Sequence, residues 1–241
     1  VNPQSLKKEN FVDGGTATGE MLDFLAECLR YGISICVAGA TSSGKTTLAG
    51  WLLTTIPDGK RIFTIENGSR ELALVREKDG KVTNSVIHTL TRYSENEKQN
   101  IDQDMLLDMA LRFNPEIICV GEMRSSEAYT AQESARTGHT VLTTIHSNSC
   151  ESTYSRMRTL CKRKYDMDDE VLMNLVTEAF PIVVFTKQLE NRKTKLMEIM
   201  ECEITADGKR KFNPLYRYEI TENRMEGDRF IINGTHKKVC G

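Results

Sequence analysis

The sequence has 241 residues, 39% of them hydrophobic and 27% charged, and 32 basic against 34 acidic residues leave a formal net charge of −2. A chain of this length can bury a full core, which favours one large α/β domain with at most a small appendage over two equal domains. The near-neutral charge provides no overall basic field, so composition gives no strong sign of nucleic-acid binding.

The cysteines and the apolar runs indicate a cytoplasmic protein. The seven cysteines are odd in number and include no Cys-x-x-Cys pair, which predicts reduced packing residues instead of disulfides or a zinc site. The longest apolar stretches, such as residues 180–185, are too short to cross a bilayer, so we expect no direct membrane insertion. The chain begins with Val1 and a polar segment at residues 2–10, which predicts a fragment whose upstream domain is missing.

Hydrophobic periodicity and turn residues predict alternating helices and strands. Helices are predicted at residues 21–31, 47–53, 105–113, 126–136, 150–165 and 168–178. Strands are predicted at residues 33–38, 61–65, 117–120 and 140–145, a polar loop at residues 93–103, and further strands at residues 183–187, 195–202, 215–220 and 230–232. This order predicts an α/β fold with a mainly parallel sheet flanked by helices, followed by a strand-rich C-terminal extension.

A glycine-rich motif, here called the P-loop, lies between the strand at residues 33–38 and the helix at residues 47–53. It fits the pattern G-x-x-x-x-G-K-[ST], whose glycines let successive N–H groups turn inward around phosphates at a helix N-terminus. Lys45 is expected to place its ammonium against the outer phosphates, and the Thr46 hydroxyl to ligate Mg²⁺. The predicted nucleoside phosphate site comprises Gly39, Ala40, Thr41, Ser42, Ser43, Gly44, Lys45, Thr46 and Thr47.

Acidic residues follow two of the predicted strands. Glu122 comes just after the strand at residues 117–120, where a carboxylate can hold magnesium-bound water opposite the P-loop. Glu66 and Glu71 follow the strand at residues 61–65, where a general base for an attacking water can be placed. The residues alone do not distinguish these two acids from those of a surface turn.

Two histidines bracket the strand at residues 140–145. His139 and His146 are seven residues apart and point to opposite faces of a regular strand, so they cannot chelate one metal ion. His146 follows the carboxyl end of the strand, where a sensor of the γ-phosphate can reach the nucleotide. His139 lies at the other end.

In order and spacing these segments resemble the traffic ATPases, the hexameric ATPases of type II secretion, type IV pili and type IV secretion. The resemblance spans about residues 14 to 190. The chain looks closest to the tight-adherence (CpaF-type) branch, because residues 61–66 resemble its entry to the acidic segment and the paired Cys-x-x-Cys zinc insertion of other branches is absent. The motifs that carry the resemblance are the P-loop, an acidic box at residues 64–72, Val120-Gly121-Glu122-Met123-Arg124, and a histidine box from Thr137-Gly138-His139 to His146-Ser147-Asn148-Ser149.

The resemblance implies ATP and Mg²⁺ as cofactors, with Lys45 and Thr46 binding the phosphates and the metal. It also implies that Glu122 completes the Walker B strand, that the acidic box polarises water, and that His146 senses the γ-phosphate. Arg92 resembles an arginine that the family directs at nucleotide across or near a subunit boundary. The implied partners are further copies of the chain in a hexameric ring and a secretion or pilus platform protein of the inner membrane, which would hold the ring at the cytoplasmic face.

Two departures from the family pattern affect the site. Ser42 stands where the family usually has glycine. The acidic box reads Glu66-Asn67 instead of Glu-Asp and is one residue longer before Glu71. The position of Glu71 before Leu72 favours it as the base, with Glu66 as the close alternative.

The sequence therefore predicts a RecA-like ATPase core at residues 21–190, preceded by a linker at residues 1–20 and followed by a β-rich extension at residues 191–241. The expected function is ATP hydrolysis that drives pilus assembly or macromolecular export. Two alternatives stay open: a nucleic-acid translocase on the same core, and a nucleotide-binding scaffold with little turnover. A small-molecule kinase is disfavoured because the sequence shows neither a lid segment nor an acceptor pocket.

Overall fold

A computed structural model describes residues 2–240, and over this range the chain forms seven helices and eleven strands. The helices are α1 Lys8–Asp13, α2 Gly19–Arg30, α3 Lys45–Thr54, α4 Gln103–Arg112, α5 Glu127–Arg136, α6 Cys150–Cys161 and α7 Asp169–Ala179. The strands are β1 Ile35–Gly39, β2 Arg61–Glu66, β3 Glu77–Lys78, β4 Lys81–Val82, β5 Ser85–Leu90, β6 Ile117–Met123, β7 Thr140–Ile145, β8 Ile182–Gln188, β9 Thr194–Ile204, β10 Arg210–Glu226 and β11 Arg229–Lys238.

Nine of the strands form one sheet in the order β11-β10-β9-β8-β1-β7-β6-β2-β5. The six strands from β8 to β5 run parallel, and β9, β10 and β11 add to the β8 side in antiparallel pairs. The predicted α/β class with a mainly parallel sheet is confirmed. Because the carboxyl ends of parallel strands meet at one edge, the segments after β1, β2, β6 and β7 are neighbours there.

Both faces of the parallel part of the sheet are covered by helices. Val37 and Ile117 belong to the core under α2 and α3, whereas Cys36 and Ile118 belong to the core under α4 to α7. Every residue of β1 is buried, as expected for a strand with helices on both sides. This packing fixes the start of the P-loop at the end of a fully buried strand.

The strand-rich C-terminal part continues the same sheet. The predicted division at residue 190 falls in the turn between β8 and β9. Strand β8, before the turn, pairs with β9, after it, and Lys187 lies opposite Lys195. The long strand β10 pairs with β9 through its first half and with β11 through its second. The division of the chain into linker, core and extension stays a prediction.

Several predicted boundaries are corrected by the structure. The polar stretch 93–103 includes a 3₁₀ turn, Glu97–Gln99, and its last residue already belongs to α4, because the Asp102 side chain accepts a hydrogen bond from Met105 N and caps the helix there. The helix predicted at residues 150–165 ends at Cys161. The segment that precedes α2 includes the 3₁₀ turn Pro3–Ser5 and α1, and the ring of Phe11 packs against that of Trp51 at 5.5 Å between centroids.

Strand β5 is an edge strand that the sequence analysis missed. Its first five residues are half-buried, and among the described strands it pairs only with β2, Thr64 lying opposite His88. Six of the seven cysteines are buried, as expected for packing residues, and none is paired in a disulfide over residues 2–240. None of the helices among residues 2–240 combines the length and apolarity of a membrane span.

Candidate active site

The P-loop connects β1 to α3 at the carboxyl edge of the sheet. A Cβ atom at Gly39 would collide with the Ser43 side chain and the Thr186 carbonyl, so only glycine fits there. Gly44, which precedes the first turn of α3, has φ +86°, the left-handed conformation that glycine adopts most readily. The predicted loop between strand and helix is therefore present, with the N-terminus of α3 at its end.

Ser42 adopts the left-handed conformation without being a glycine. Its φ is +62°, a region that costs a residue with a Cβ roughly 1–2 kcal/mol. The sequence departs from the family pattern at this position, yet the backbone keeps the geometry that glycine would favour. The loop is therefore strained at its exposed tip.

Lys45 is the first residue of α3, and its side chain folds back over the loop. Its Nζ donates a hydrogen bond of 2.7 Å to the carbonyl of Ala40, and the residue is buried. Burial lowers the pKa of this ammonium, and the charge of Glu122 opposes that shift. The ammonium thus lies at the start of the P-loop, ready to exchange a backbone carbonyl for a phosphate oxygen.

The predicted metal and base residues meet around one cavity beside α3. Thr46, Glu66, Glu71 and Glu122 line it. Glu66 is 4% exposed, its Oε1 accepts hydrogen bonds from main-chain N–H groups, and its Oε2 is buried without a donor. Burial raises the pKa of the Glu66 carboxyl, although the hydrogen bonds from the main-chain N–H groups of Glu71 and Leu72 lower it. An unpartnered buried carboxylate oxygen on a residue that lines this cavity is suited to a cation or a water.

Glu122 lies where strand β6 loses its regular pairing with β7, since the register shifts between Val120 and Met123. Its Oε1 is 2.7 Å from His146 Nε2, and its Oε2 is ion-paired with the Arg124 guanidinium. The structure therefore brings together Glu122 and His146, which the sequence predicts at the carboxyl ends of two different strands.

The two histidines of the histidine box are separated as predicted. His146 follows β7 and reaches Glu122 at the P-loop edge of the sheet. His139 precedes β7, and its Nδ1 is 2.9 Å from the Pro115 carbonyl at the opposite edge. Only His146 is near the nucleotide site.

Arg92 is not part of the cavities around the P-loop. It follows β5, is exposed, and its main chain forms an isolated bridge with Ile101. The preceding residue joins this segment to the acidic box, because Thr91 Oγ1 donates a hydrogen bond of 2.6 Å to the Asn67 side chain. Arg92 thus lies at the same edge of the sheet as the P-loop, but several strands away from the P-loop of its own chain.

Two residues that support the site were missed by the sequence analysis. Thr186 on β8 is buried, lies 3.1 Å from Ser43 Oγ through its hydroxyl, and donates to the Ala38 carbonyl. Gln103 at the start of α4 is buried, and its Nε2 donates 3.1 Å to the carbonyl of Glu122. The only sequence signal for Thr186 was a hydroxyl residue directly after an apolar run. The sequence contained no signal for Gln103.

A second cavity, mostly apolar, borders the other end of the P-loop. Gly44, Thr47 and Leu48 form one wall, and Phe11 and Leu196 are among the residues opposite. A concave apolar surface beside a phosphate-binding loop can accommodate the base of a nucleoside. The phosphate loop, the acidic cavity and this apolar cavity together have the polarity that a magnesium nucleotide requires.

The chain matches the family described as Type II/IV secretion system protein over residues 1–232. It belongs to this family. Among curated relatives, it is 29% identical over 191 residues to the type IV secretion system protein VirB11 of Bartonella quintana, covering 75% of this chain and 49% of that protein. It is 32% identical over 170 residues to the type IV secretion system protein PtlH of Bordetella pertussis, covering 69% and 48% respectively.

A solved structure supports the membership. The VirB11 ATPase from the Brucella suis type IV secretion system, crystallised in complex with sulphate, aligns with a TM-score of 0.65 and 26% identity over 80% of this chain and 54% of that one. The chain thus spans about half the length of these relatives. Activities and partners of the whole proteins therefore come to this chain as proposals.

Proposed function

We propose that this chain hydrolyses ATP as one subunit of a ring that powers pilus assembly or macromolecular secretion. The observation that supports it most is the convergence of Thr46, Glu66, Glu71 and Glu122 on one cavity beside the P-loop. Mg²⁺ in a nucleotide site commonly takes one or two carboxylates, so a third one at this cavity is available as a general base. The relatives also include an ATPase of type IV secretion.

The residues present fit a magnesium nucleotide. Mg²⁺ commonly takes one or two carboxylates, substrate phosphates and waters, and the described residues contain no group of three or more metal-binding side chains that would form a complete site without phosphates. Thr46 and Glu122, the latter partly through water, would hold the ion. When bound, Mg²⁺ neutralises charge on the β- and γ-phosphates.

The proposed roles of the protein groups follow from their positions. Lys45 leaves the Ala40 carbonyl and binds the outer phosphates. Glu71 accepts the proton of the attacking water, with Glu66 as the alternative base, and His146 contacts the γ-phosphate from the end of β7. Because Arg92 lies away from the P-loop of its own chain, we place it at the nucleotide of a neighbouring subunit.

The assembly is proposed on the same grounds. A ring of six copies would bring each Arg92 to the next subunit's nucleotide, and a platform protein of the inner membrane would hold the ring at the cytoplasmic face. We favour the tight-adherence (CpaF-type) branch because residues 61–66 resemble its acidic-box entry and no paired Cys-x-x-Cys occurs in the sequence. The core, linker and extension boundaries given above belong to this proposal.

A mixing experiment tests the shared site. Lys45→Ala and Arg92→Gln chains are each expected to lack steady-state phosphate release. If Arg92 acts across the boundary, random mixing leaves about a quarter of the interfaces with both groups intact, so the mixture recovers turnover. Failure to recover, with both variants folded and assembled, would refute the shared site.

Single-stranded DNA distinguishes the alternative enzyme. Strong stimulation of wild-type phosphate release by DNA would favour a nucleic-acid translocase. Turnover that is indifferent to DNA is the expected result for the secretion motor.

One observation favours the scaffold alternative: Asn67 stands where the family has aspartate, and its amide oxygen accepts a hydrogen bond from Thr91. ATP binding without phosphate release would support that reading.

A further inference from the structure

A third cavity lies between the P-loop and helix α6 and shares no lining residue with the apolar cavity. It is open, has a volume of about 510 Å³, and its lining includes Ala40 and Thr41 of the P-loop, and His146 and Asn148. Arg156 from α6 also lines it. No carboxylate side chain lines this cavity among the described residues, so its one formal charge is the Arg156 guanidinium.

Arg156 differs from the other basic residues of its segment. Arg158 and Lys162 are ion-paired with Asp169, and Lys164 is ion-paired with Asp104. Arg163 donates a hydrogen bond to the main chain of Arg124. Among the side chains that the structure describes, none forms an ion pair or a hydrogen bond with the Arg156 guanidinium, which leaves its donors available to a ligand.

The cavity is at the end of the P-loop where the terminal phosphate belongs. In P-loop proteins the lysine of the motif reaches the β- and γ-phosphates. Here the Lys45 ammonium lies at the Ala40 carbonyl, and Ala40 borders the cavity that Arg156 faces. The apolar cavity, which suits the base, adjoins Gly44 and Thr47 at the other end of the motif. The phosphate chain therefore runs toward Arg156.

We propose that Arg156 is a binding residue for the terminal phosphate in its own subunit. It would contact the γ-phosphate of ATP or, after cleavage, the free phosphate ion held in the same cavity. A guanidinium binds a phosphate oxyanion with two parallel N–H donors, a geometry that lysine cannot reproduce. This inference rests on the proposed function, because it assumes that the P-loop binds a nucleoside triphosphate.

Nucleotide affinities test the contact with the γ-phosphate. Arg156→Gln should weaken binding of a non-hydrolysable ATP analogue about tenfold or more and leave ADP binding unchanged, since a charge-assisted phosphate contact is lost. The affinity of Arg156→Lys for the ATP analogue should lie between those of Arg156→Gln and wild type. Arg158→Gln is the matched control, because it removes a cation of the same helix that is paired with Asp169, and it should bind both nucleotides as wild type does.

Inhibition by added inorganic phosphate in the presence of ADP tests the free ion. Weaker inhibition of Arg156→Gln turnover by phosphate, with ATP-analogue affinity retained, would assign the contact to the product. Loss of analogue affinity would assign it to the γ-phosphate. Urea midpoints that match wild type exclude misfolding of this exposed position.

The outcomes separate the two proposals. If wild type binds ADP and the ATP analogue but Arg156→Gln matches it in both assays, the role of Arg156 is overturned and the proposed function stands. An equal loss of affinity for ADP and the analogue would also overturn it, because the contact would not be with the terminal phosphate. Wild type that binds neither nucleotide would overturn both proposals.

Discussion

The main-chain N–H of Glu71 donates a hydrogen bond of 2.7 Å to Glu66 Oε1. The two glutamates that compete for the role of general base are thus joined, and they differ in environment. Glu66 is buried, and its carboxylate also accepts from Leu72 N at 3.0 Å, so it organises the segment that carries Glu71. Glu71 is exposed and its side chain borders the cavity with Thr46. This contrast predicts different consequences of substitution.

Glu71→Gln should reduce kcat by roughly 10²–10⁴-fold, the usual contribution of a general base, without changing the free energy of unfolding. Glu66→Gln keeps an oxygen that can accept the two N–H groups, so it should retain most of the turnover. Steady-state phosphate release and urea unfolding of both variants provide the measurement. If Glu66→Gln is inactive while Glu71→Gln remains active, the assignment is reversed.

The strain at Ser42 predicts that glycine is tolerated there. Ser42→Gly should leave the free energy of unfolding unchanged or raise it by up to about 1 kcal/mol, because relief of the left-handed strain offsets the extra chain entropy of glycine. Ser155→Gly on the exposed face of α6 is the control and should destabilise by about 0.5 kcal/mol, the difference between serine and glycine in helix propensity. Urea unfolding of both variants measures the difference. Equal destabilisation would show that Ser42 is unstrained.

His88 predicts a pH dependence of stability. Its Nδ1 lies 2.8 Å from Thr64 Oγ1, and burial lowers the pKa of the imidazole to about 4. Because the pKa is lower in the folded state, the neutral ring contributes stability that is complete above the ordinary value of 6.5 and is lost as pH falls toward about 4.

Wild type should therefore lose free energy of unfolding more steeply over that pH interval than His88→Gln, measured by urea unfolding at each pH. An NMR titration of the imidazole gives the pKa directly. Parallel stability profiles, or titration of His88 near its ordinary value, would contradict the prediction.

The features that the sequence predicted well are those with local physical signatures. The P-loop follows from glycines that its backbone requires, and β7 was predicted at its observed bounds because residues 140–145 are β-branched and apolar. Glu122 and His146 were each predicted beside the nucleotide because both stand at the carboxyl end of a strand in a mainly parallel sheet. These inferences need only the hydrophobic periodicity of the sequence and the rule that the carboxyl ends of parallel strands meet at one edge of the sheet.

The features that were missed depend on tertiary contacts. Strand β5 is a short edge strand in which two apolar residues, Val86 and Ile87, are followed by two polar ones, so its pattern fits neither a regular alternation nor a continuous apolar run. Gln103 and Thr186 act through hydrogen bonds to Glu122 and Ser43, which lie far away in the sequence. The target of Arg92 cannot be found within one chain if it belongs to a neighbouring subunit.

The most direct test of ATP hydrolysis at this site compares ATP binding and phosphate release for wild type, Lys45→Ala and Glu122→Gln. We expect wild type to bind ATP with Mg²⁺ and release phosphate, Lys45→Ala to lose both, and Glu122→Gln to keep binding while turnover falls by about 10²-fold or more. Phosphate release that persists in Lys45→Ala, or wild type that binds ATP without releasing phosphate, would show that this site does not hydrolyse ATP.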